Sequence, residues 1–259
     1  MDHEVDIDLN LEPILHQYRT LGYARVGRIL NESDLAALRD RANQIMLGKI
    51  SYPGLFFQAD TETGRYEDLT YKKGYVGPGL NYRKIEKLEK DPLYCALINH
   101  PVFERIARAW IAGDIVIYRS VLFNKPAHGG TVLPWHQDGG SYWGLNQNPT
   151  LQIWTAIDDA DVESGCLEVI PGSHINGLAT PLGGVIPDHV LKTRNIEAEK
   201  VLVPAKAGDV ILVHNHLWHG SGLNHTNKPR RGLTTCYMSA DTRCQRTKRA
   251  PRTFFPVFR

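Results

Sequence analysis

Pro134-Trp135-His136-Gln137-Asp138-Gly139-Gly140 and, further on, Val213-His214-Asn215-His216-Leu217-Trp218-His219-Gly220-Ser221-Gly222 decide how this chain is read. In the first stretch a strand signal breaks into two glycines. Residues two apart on an extended backbone project to the same side, so His136 and Asp138 can chelate one metal ion. Alone the triplet carries little weight, because a chain with 11 histidines and this aspartate content holds roughly 0.7 His-x-Asp triplets by chance. The second stretch closes an apolar strand and offers a third ligand. Two imidazoles and a carboxylate on one face leave three octahedral positions open, the facial arrangement with which non-haem Fe(II) holds a chelating co-substrate and O2. A structural zinc site would close with four ligands, commonly thiolates. The glycine-serine-glycine context selects His219 as third ligand, with His214 and His216 as the alternatives on a shared strand face.

Around these clusters the chain falls into short β-branched or aromatic runs separated by Gly, Pro, Asn and Asp, which predict strands at 115–123, 150–157, 167–170, 201–203, 210–214 and 233–238. Such a succession argues for a β-sandwich or barrel. Upstream, Leu11, Ile14, Leu15, Tyr18 and Leu21 repeat with a helical period that stops at Gly22, and a strand follows at 23–29. Asn31, with Asp34 three residues on, caps a second helix whose apolar face is Leu35, Leu38, Ala42, Ile45 and Met46, closed by Gly48. A third helix is predicted at 101–112. Residues 51–82 lose any period and collect Phe56, Phe57, Tyr66, Tyr71, Tyr75 and Tyr82 among glycine and proline. A loop of that length inside a compact domain is commonly functional, so it reads as a lid over substrate, or else as plain surface loop.

With 259 residues, 42% hydrophobic and 22% charged, the chain has the composition of an ordinary folded enzyme or binding protein, which excludes disorder and a disulfide-framed fold. The expected layout is one domain over residues 1–259. A mainly helical part occupies 1–112, a barrel core 113–242 and a basic tail 243–259. The formal charge of +2 belongs to that tail, which carries six arginines and lysines from Arg243 to Arg259; residues 1–242 sum to −4. Pro251, Phe254, Phe255 and Phe258 interrupt the basic run, so a solvated or subunit-docking segment is expected rather than a nucleic-acid arm. Cys95, Cys166, Cys236 and Cys244 show no paired spacing, Met1 to Asn10 lacks an apolar run, and no stretch approaches membrane-spanning length. A cytoplasmic protein with reduced thiols is expected, without membrane or nucleic-acid partners, and with homo-oligomerisation left open.

The order of these motifs resembles the phytanoyl-CoA dioxygenase family of Fe(II)- and 2-oxoglutarate-dependent oxygenases. The resemblance runs from about Tyr118 to Tyr237. It takes in Asn124-Lys125-Pro126, Trp135-His136-Gln137-Asp138, Trp154-Thr155-Ala156-Ile157-Asp158, Gly165-Cys166-Leu167, Pro171-Gly172-Ser173-His174, His219-Gly220-Ser221-Gly222 with Asn224 and Thr226, and Arg230-Arg231. It implies a mainly β fold with flanking helices, a double-stranded β-helix or cupin-like jelly-roll barrel, and His136, Asp138 and His219 as ligands of Fe(II). It also implies that Arg230 pairs with the far carboxylate of the co-substrate 2-oxoglutarate while Ser221 hydrogen-bonds it, with Lys125 and Gln137 lining the same site. The reaction implied is hydroxylation of an unactivated C–H of a small molecule by O2, with release of succinate and CO2. Relatives that halogenate carry a small residue in place of the carboxylate; this chain keeps Asp138.

Physical chemistry bears on several of these assignments separately. A planar guanidinium suits bidentate carboxylate recognition, and because adjacent strand side chains face opposite ways, only one of Arg230 and Arg231 can point inward. His128, His174, His189 and His225 lie in loop-like sequence and read as surface or turn residues, with Ser173 and His174 satisfying backbone groups of a turn. Trp135, Trp143, Trp154 and Trp218 read as core or barrel-rim packing. For the substrate the hints are slight: Tyr82-Arg83-Lys84 and Arg119 could meet an anionic group, and Phe56, Phe57 and Tyr75 could cover an apolar one. Two other classes remain open. One is a non-oxidative metal hydrolase or cupin-like isomerase on the same three ligands, which has no need of Ser221 or Arg230, and the other is a barrel that binds a ligand without turnover.

Overall fold

The computed structural model describes residues 9–70, 74–247 and 251–259. Most of Met1 to Asn10, Tyr71 within the lid segment, and Lys248 and Arg249 of the basic tail lie outside the described residues. The chain opens with α1 (Leu11–Leu21), β1 (Tyr23–Arg28) and α2 (Glu32–Met46). Both helices start on an asparagine whose side chain accepts a backbone N–H, Asn10 from Glu12 and Asn31 from Asp34. α1 stops where Gly22 turns left-handed at φ 81°. Next come β2 (Phe56–Ala59), β3 (Tyr82–Glu86), α3 (Pro92–Ile98) and α4 (Pro101–Trp110), each of these two helices with proline in its first turn.

Strands then dominate: β4 (Ile115–Lys125), β5 (Leu133–Gln137), β6 (Leu151–Ala156), β7 (Leu167–Ile170) and β8 (Gly184–Val185). Short helices α5 (Asp188–Leu191) and α6 (Ile196–Glu199) lead into β9 (Val201–Val203), β10 (Asp209–Val213), β11 (Trp218–Ser221), β12 (Arg230–Ser239) and β13 (Phe255–Phe258). Two antiparallel sheets result. The larger runs β1-β10-β6-β12-β4-β3-β2, with β13 also on β4; the smaller runs β8-β5-β11-β7-β9. Interleaving of late and early strands in both sheets is the double-stranded β-helix arrangement, a mainly β fold flanked by helices.

Alternation along the strands sorts residues between core and site. On the outer face of the larger sheet, Ile115, Ile117, Leu122, Ile153, Leu212 and Leu233 pack with Tyr18, Leu38, Ile45, Leu97 and Phe103 of the helices into the main core. On the inner face, Arg119, Phe123 and Lys125 of β4, Gln152 and Trp154 of β6, and Arg230 and Thr234 of β12 line a cavity between the sheets. Gly232 sits where this packing is tightest. A Cβ there would stand 2.6 Å from the Trp154 ring, so only glycine lets the indole lie flat against β12.

Two expectations are corrected. Residues 51–82 are not a free excursion: Phe56–Ala59 pairs with Tyr82–Glu86 and extends the larger sheet beyond β4. The aromatic residues of this segment fold onto one another, Phe57 against Tyr75 and Tyr82, because a strand at the sheet edge gives them an apolar wall. The basic tail is docked on its own chain. Residues 242–247 zip along the loop after β5 through Arg243 N–H to Asn146 Oδ1, Gln147 to Thr242, and Gln245 N–H to the Gly144 carbonyl. Beyond it, Arg252 stacks on Tyr118 at 4.4 Å and Phe258 is buried. Among the described residues no helix is long and apolar enough to cross a membrane, and all four cysteines are free.

Candidate metal and co-substrate site

The smaller sheet makes His136 and His219 direct cross-strand neighbours on β5 and β11, with ring centroids 4.0 Å apart. Their Nδ1 atoms lie 2.9 Å from the Pro134 carbonyl and 2.8 Å from the Leu217 carbonyl. Only an Nδ1–H donor satisfies those contacts, which makes Nε2 the atom each ring offers to a metal. Asp138 follows just after β5, held by its own N–H on the Asn215 carbonyl at 2.8 Å. His219 Nε2 stands 3.8 Å from Asp138 Oδ2, and the ligand atoms of the three residues all lie within 4.8 Å of one another. Among the described residues no other cluster of His, Cys, Asp or Glu meets that test.

Two neighbours prepare the carboxylate. Arg119 donates to Asp138 Oδ1 at 3.0 Å and Gln152 to Oδ2 at 2.8 Å. Burial alone would raise the Asp138 carboxyl; Arg119 and the two imidazoles outweigh it and hold it well below the usual carboxylate range. Burial and the adjacent His219 push the His136 imidazole down to about 3. His136 is therefore neutral and Asp138 ionised at neutral pH, as a cation site needs.

Across the cavity, the larger sheet makes a second cross-strand pair, Arg230 of β12 opposite Lys125 of β4. Arg230 is buried, its Nη2 on the Gly165 carbonyl and its Nε without a partner. Burial pushes its guanidinium down to about 10. Lys125 Nζ donates to the Thr131 carbonyl at 2.6 Å, and burial with the nearby Arg230 and Arg83 lowers it well below the ordinary lysine value. Neither cation makes an ion pair among the described residues. An unpaired guanidinium and ammonium side by side in a cavity of about 230 Å³ call for an anion of two or more oxygens. Ser221, on β11, lines the same cavity.

Arg231 faces the other way, gripping Asp158 at 2.6 and 3.0 Å and the helix α2 through Asn43 and the Arg39 carbonyl. Gln137 lines the cavity, but its side-chain amide is engaged by backbone groups. Its NH2 donates to the Gly177 and His216 carbonyls and its carbonyl accepts from Ala179 N–H, because the pleat turns residue 137 away from its neighbours 136 and 138. His214 and His216 leave the strand before β11 and cluster with His174, whose ring centroid is 4.8 Å from that of His214. His174, expected at the surface or in a turn, lies buried in the turn at Ser173–Asn176, its Nε2 on the Arg19 carbonyl at 3.0 Å, and Ser173 accepts from Trp218 N–H at 2.8 Å.

Arg119 is only a minor hint in the sequence and Gln152 and Thr131 carry no signal there, yet all three line the cavity, as does Tyr66 of the 51–82 segment. Period-two alternation along β4 was the available signal for Arg119, which shares a face with Phe123 and Lys125. Trp143 and Trp154 are wall residues of the cavity rather than rim packing alone; Trp143 lies under Arg119 at 4.8 Å and stacks on Tyr118 at 4.1 Å.

The chain matches the family model "Phytanoyl-CoA dioxygenase (PhyH)" over residues 18–232. It is 30% identical to bovine phytanoyl-CoA dioxygenase domain-containing protein 1 over 158 residues, 58% of this chain and 54% of that protein. To rat peroxisomal phytanoyl-CoA dioxygenase it is 26% identical over 237 residues, 86% of this chain and 67% of the rat protein. The chain thus spans about half to two thirds of the length of these relatives. Among solved structures it resembles EctD from S. alaskensis with 2-oxoglutarate and 5-hydroxyectoine, at TM-score 0.73 and 21% identity, covering 93% of this chain and 81% of that one.

Proposed function

We propose, from the premise that this chain belongs to the phytanoyl-CoA dioxygenase family, that it is an Fe(II)- and 2-oxoglutarate-dependent oxygenase that hydroxylates an unactivated C–H of a small molecule. The observation that carries the reading is the pairing of two complementary half-sites across one cavity. Three ligand side chains converge on the smaller sheet, and a buried guanidinium with an orphaned Nε stands on the larger. The donor set fits iron: two imidazoles and one carboxylate on one face. When bound, Fe(II) supplies the activation of O2 and the oxidation of the C–H bond, coupled to conversion of 2-oxoglutarate to succinate and CO2.

The chain's own residues do the rest. His136, Asp138 and His219 hold the metal, and Pro134 and Leu217 fix the two imidazole tautomers through their carbonyls. Arg119 on Oδ1 keeps the Asp138 carboxylate ionised, and Oδ2, which accepts from Gln152, stands toward His219. Arg230, with Ser221 and Lys125 beside it, binds the far carboxylate of the co-substrate. Leu133, Leu167, Val213 and Trp154 wall the cavity and exclude water from it.

The test is anaerobic addition of Fe(II) and 2-oxoglutarate to the metal-free protein, watching for the weak visible charge-transfer band of the chelate. The band is expected for the native chain and its loss for His136→Ala. A chain that binds Fe(II) without developing the band, or a His136→Ala variant that keeps it, would end the assignment.

A further inference from the structure

The turn that follows β4 folds back on the strand it leaves, so that the carbonyl of Thr131 accepts from Lys125 Nζ at 2.6 Å. The hydroxyl of the same residue donates to Asp60 Oδ1, on the loop after β2. Two further contacts tie these loops together around Thr131. The Thr61 hydroxyl lies 3.3 Å from Thr131 Oγ1, and Val132 N–H donates to the Gly64 carbonyl at 2.9 Å. Thr131 is buried and links an acid to an ammonium, by its side chain on one and its backbone on the other.

Lys125 needs that link. Burial works against its charge, and so do Arg230 opposite it on β12 and Arg83 on β3. A carbonyl satisfies an N–H of the ammonium but carries no net charge. Two acids act in the ammonium's favour, Asp60 first and Glu168 of β7 second. Asp60 is placed for this by its own contacts. Its Oδ1 accepts from the Thr131 hydroxyl and from Thr61 N–H at 3.0 Å, and its Oδ2 is buried without a donor among the described residues. Burial raises the Asp60 carboxyl above its ordinary value, while those hydrogen bonds and the charges of Lys125 and Arg83 oppose the rise. Acid and lysine thus favour each other's charged forms.

We infer that Asp60 is a positioning residue of the co-substrate subsite: it anchors the turn whose Thr131 carbonyl holds the Lys125 ammonium and supplies that ammonium's counter-charge, so that the far carboxylate of 2-oxoglutarate meets a fixed lysine beside Arg230. This rests on the oxygenase reading and deepens the account of the same site. Asp60 is not among the residues that line the cavity and acts through Lys125 alone. The inference also gives the β2–β3 edge a task. Pairing of these strands, continued by Asp60 N–H on the Asn81 carbonyl at 2.7 Å, is what brings the acid to Thr131.

The experiment titrates the anaerobic Fe(II)-loaded protein with 2-oxoglutarate and reads the dissociation constant from the charge-transfer band. Asp60→Asn and Thr131→Val are each expected to weaken 2-oxoglutarate about ten-fold with Fe(II) affinity unchanged, and Thr131→Ser to stay near the native value. In a Lys125→Met background, Asp60→Asn is expected to change the constant by less than about twofold, since the lysine through which it acts is gone. The loss in Asp60→Asn should also grow between pH 6.5 and 8.5, because an ammonium without its counter-charge gives up its proton at lower pH. A native constant in Asp60→Asn, or an equal loss with and without Lys125, would overturn the proposal alone. Where Asp60→Asn folds poorly, Thr131→Val and Thr131→Ser carry the same cycle. Failure of the band to form at all in the native chain would overturn the oxygenase reading and this inference with it.

Discussion

Replacing Arg230 by methionine should move stability and co-substrate binding in opposite directions. Arg230 is 5% exposed, and burial brings its guanidinium from the ordinary 12.5 down to about 10. At about 1.4 kcal/mol for each pH unit of depression, holding that charge costs the folded chain roughly 3 kcal/mol. The penalty is fully present at neutral pH and fades only as pH climbs from about 10 toward 12.5, where the folded chain has released a proton that the unfolded chain still holds. Methionine fills a similar volume without the charge and gives up the bond to the Gly165 carbonyl, worth about 1 kcal/mol. The metal-free protein should therefore gain about 1–3 kcal/mol in urea unfolding. Binding should go the other way: a carboxylate brought into the cavity without its guanidinium loses about 3–5 kcal/mol, or a factor of about 10² to 10⁴ in the 2-oxoglutarate dissociation constant read from the charge-transfer band. A metal-free variant that is less stable than the native chain, with an unchanged 2-oxoglutarate constant, would make Arg230 a structural residue and refute the reasoning.

Arg231→Met is the mirror image. It strips Asp158 of its main partner and should cost about 3–5 kcal/mol of stability by urea unfolding while leaving the 2-oxoglutarate constant within about threefold, and a neutral effect on stability would count against the pairing. Gly232→Ala puts a methyl 2.6 Å from the Trp154 ring and should destabilise by about 1–3 kcal/mol and narrow the cavity, checked by unfolding and by a crystal structure; an unshifted indole would contradict the packing. Acid should weaken the fold through the buried histidine cluster. Burial, with His174 and His216 nearby, brings His214 down to about 3, and burial lowers His174 and His216 as well. Below pH of about 6.5 the unfolded chain takes up protons that the folded chain refuses, so stability falls with pH by up to about 1.4 kcal/mol per unit for each histidine. His214→Asn should flatten that slope by about one histidine's share in urea titrations between pH 6.5 and 4.5, and an unchanged slope would remove His214 from the account.

Residues whose role depends on local pattern were readable in advance. The helix at Leu11–Leu21 follows from its apolar period and its closing glycine, and the strands at Leu167–Ile170 and Val201–Val203 from short β-branched runs. The His136, Asp138 and His219 grouping was reachable because two ligands lie two residues apart at the end of one strand and the third follows an apolar strand. That only one of Arg230 and Arg231 turns inward follows from strand alternation, and the family resemblance names Arg230. What alternation could not tell is which strand lies beside which. Edge strands such as Phe56–Ala59 hide in a loop-like composition, and their pairing alone turns residues 56–59 from loop into sheet.

By itself, then, the sequence determined the strand-rich barrel class, the three metal-ligand candidates and the fact that only one of Arg230 and Arg231 turns inward, since periodicity and residue chemistry are properties of neighbours along the chain. Only the tertiary structure decided that Lys125 stands opposite Arg230, that the Gln137 amide braces backbone, and that the C-terminal segment supports the aromatic stack under Arg119. Those facts depend on register between strands far apart in sequence. Register is set by how the whole set of side chains shares one interior, not by any one segment.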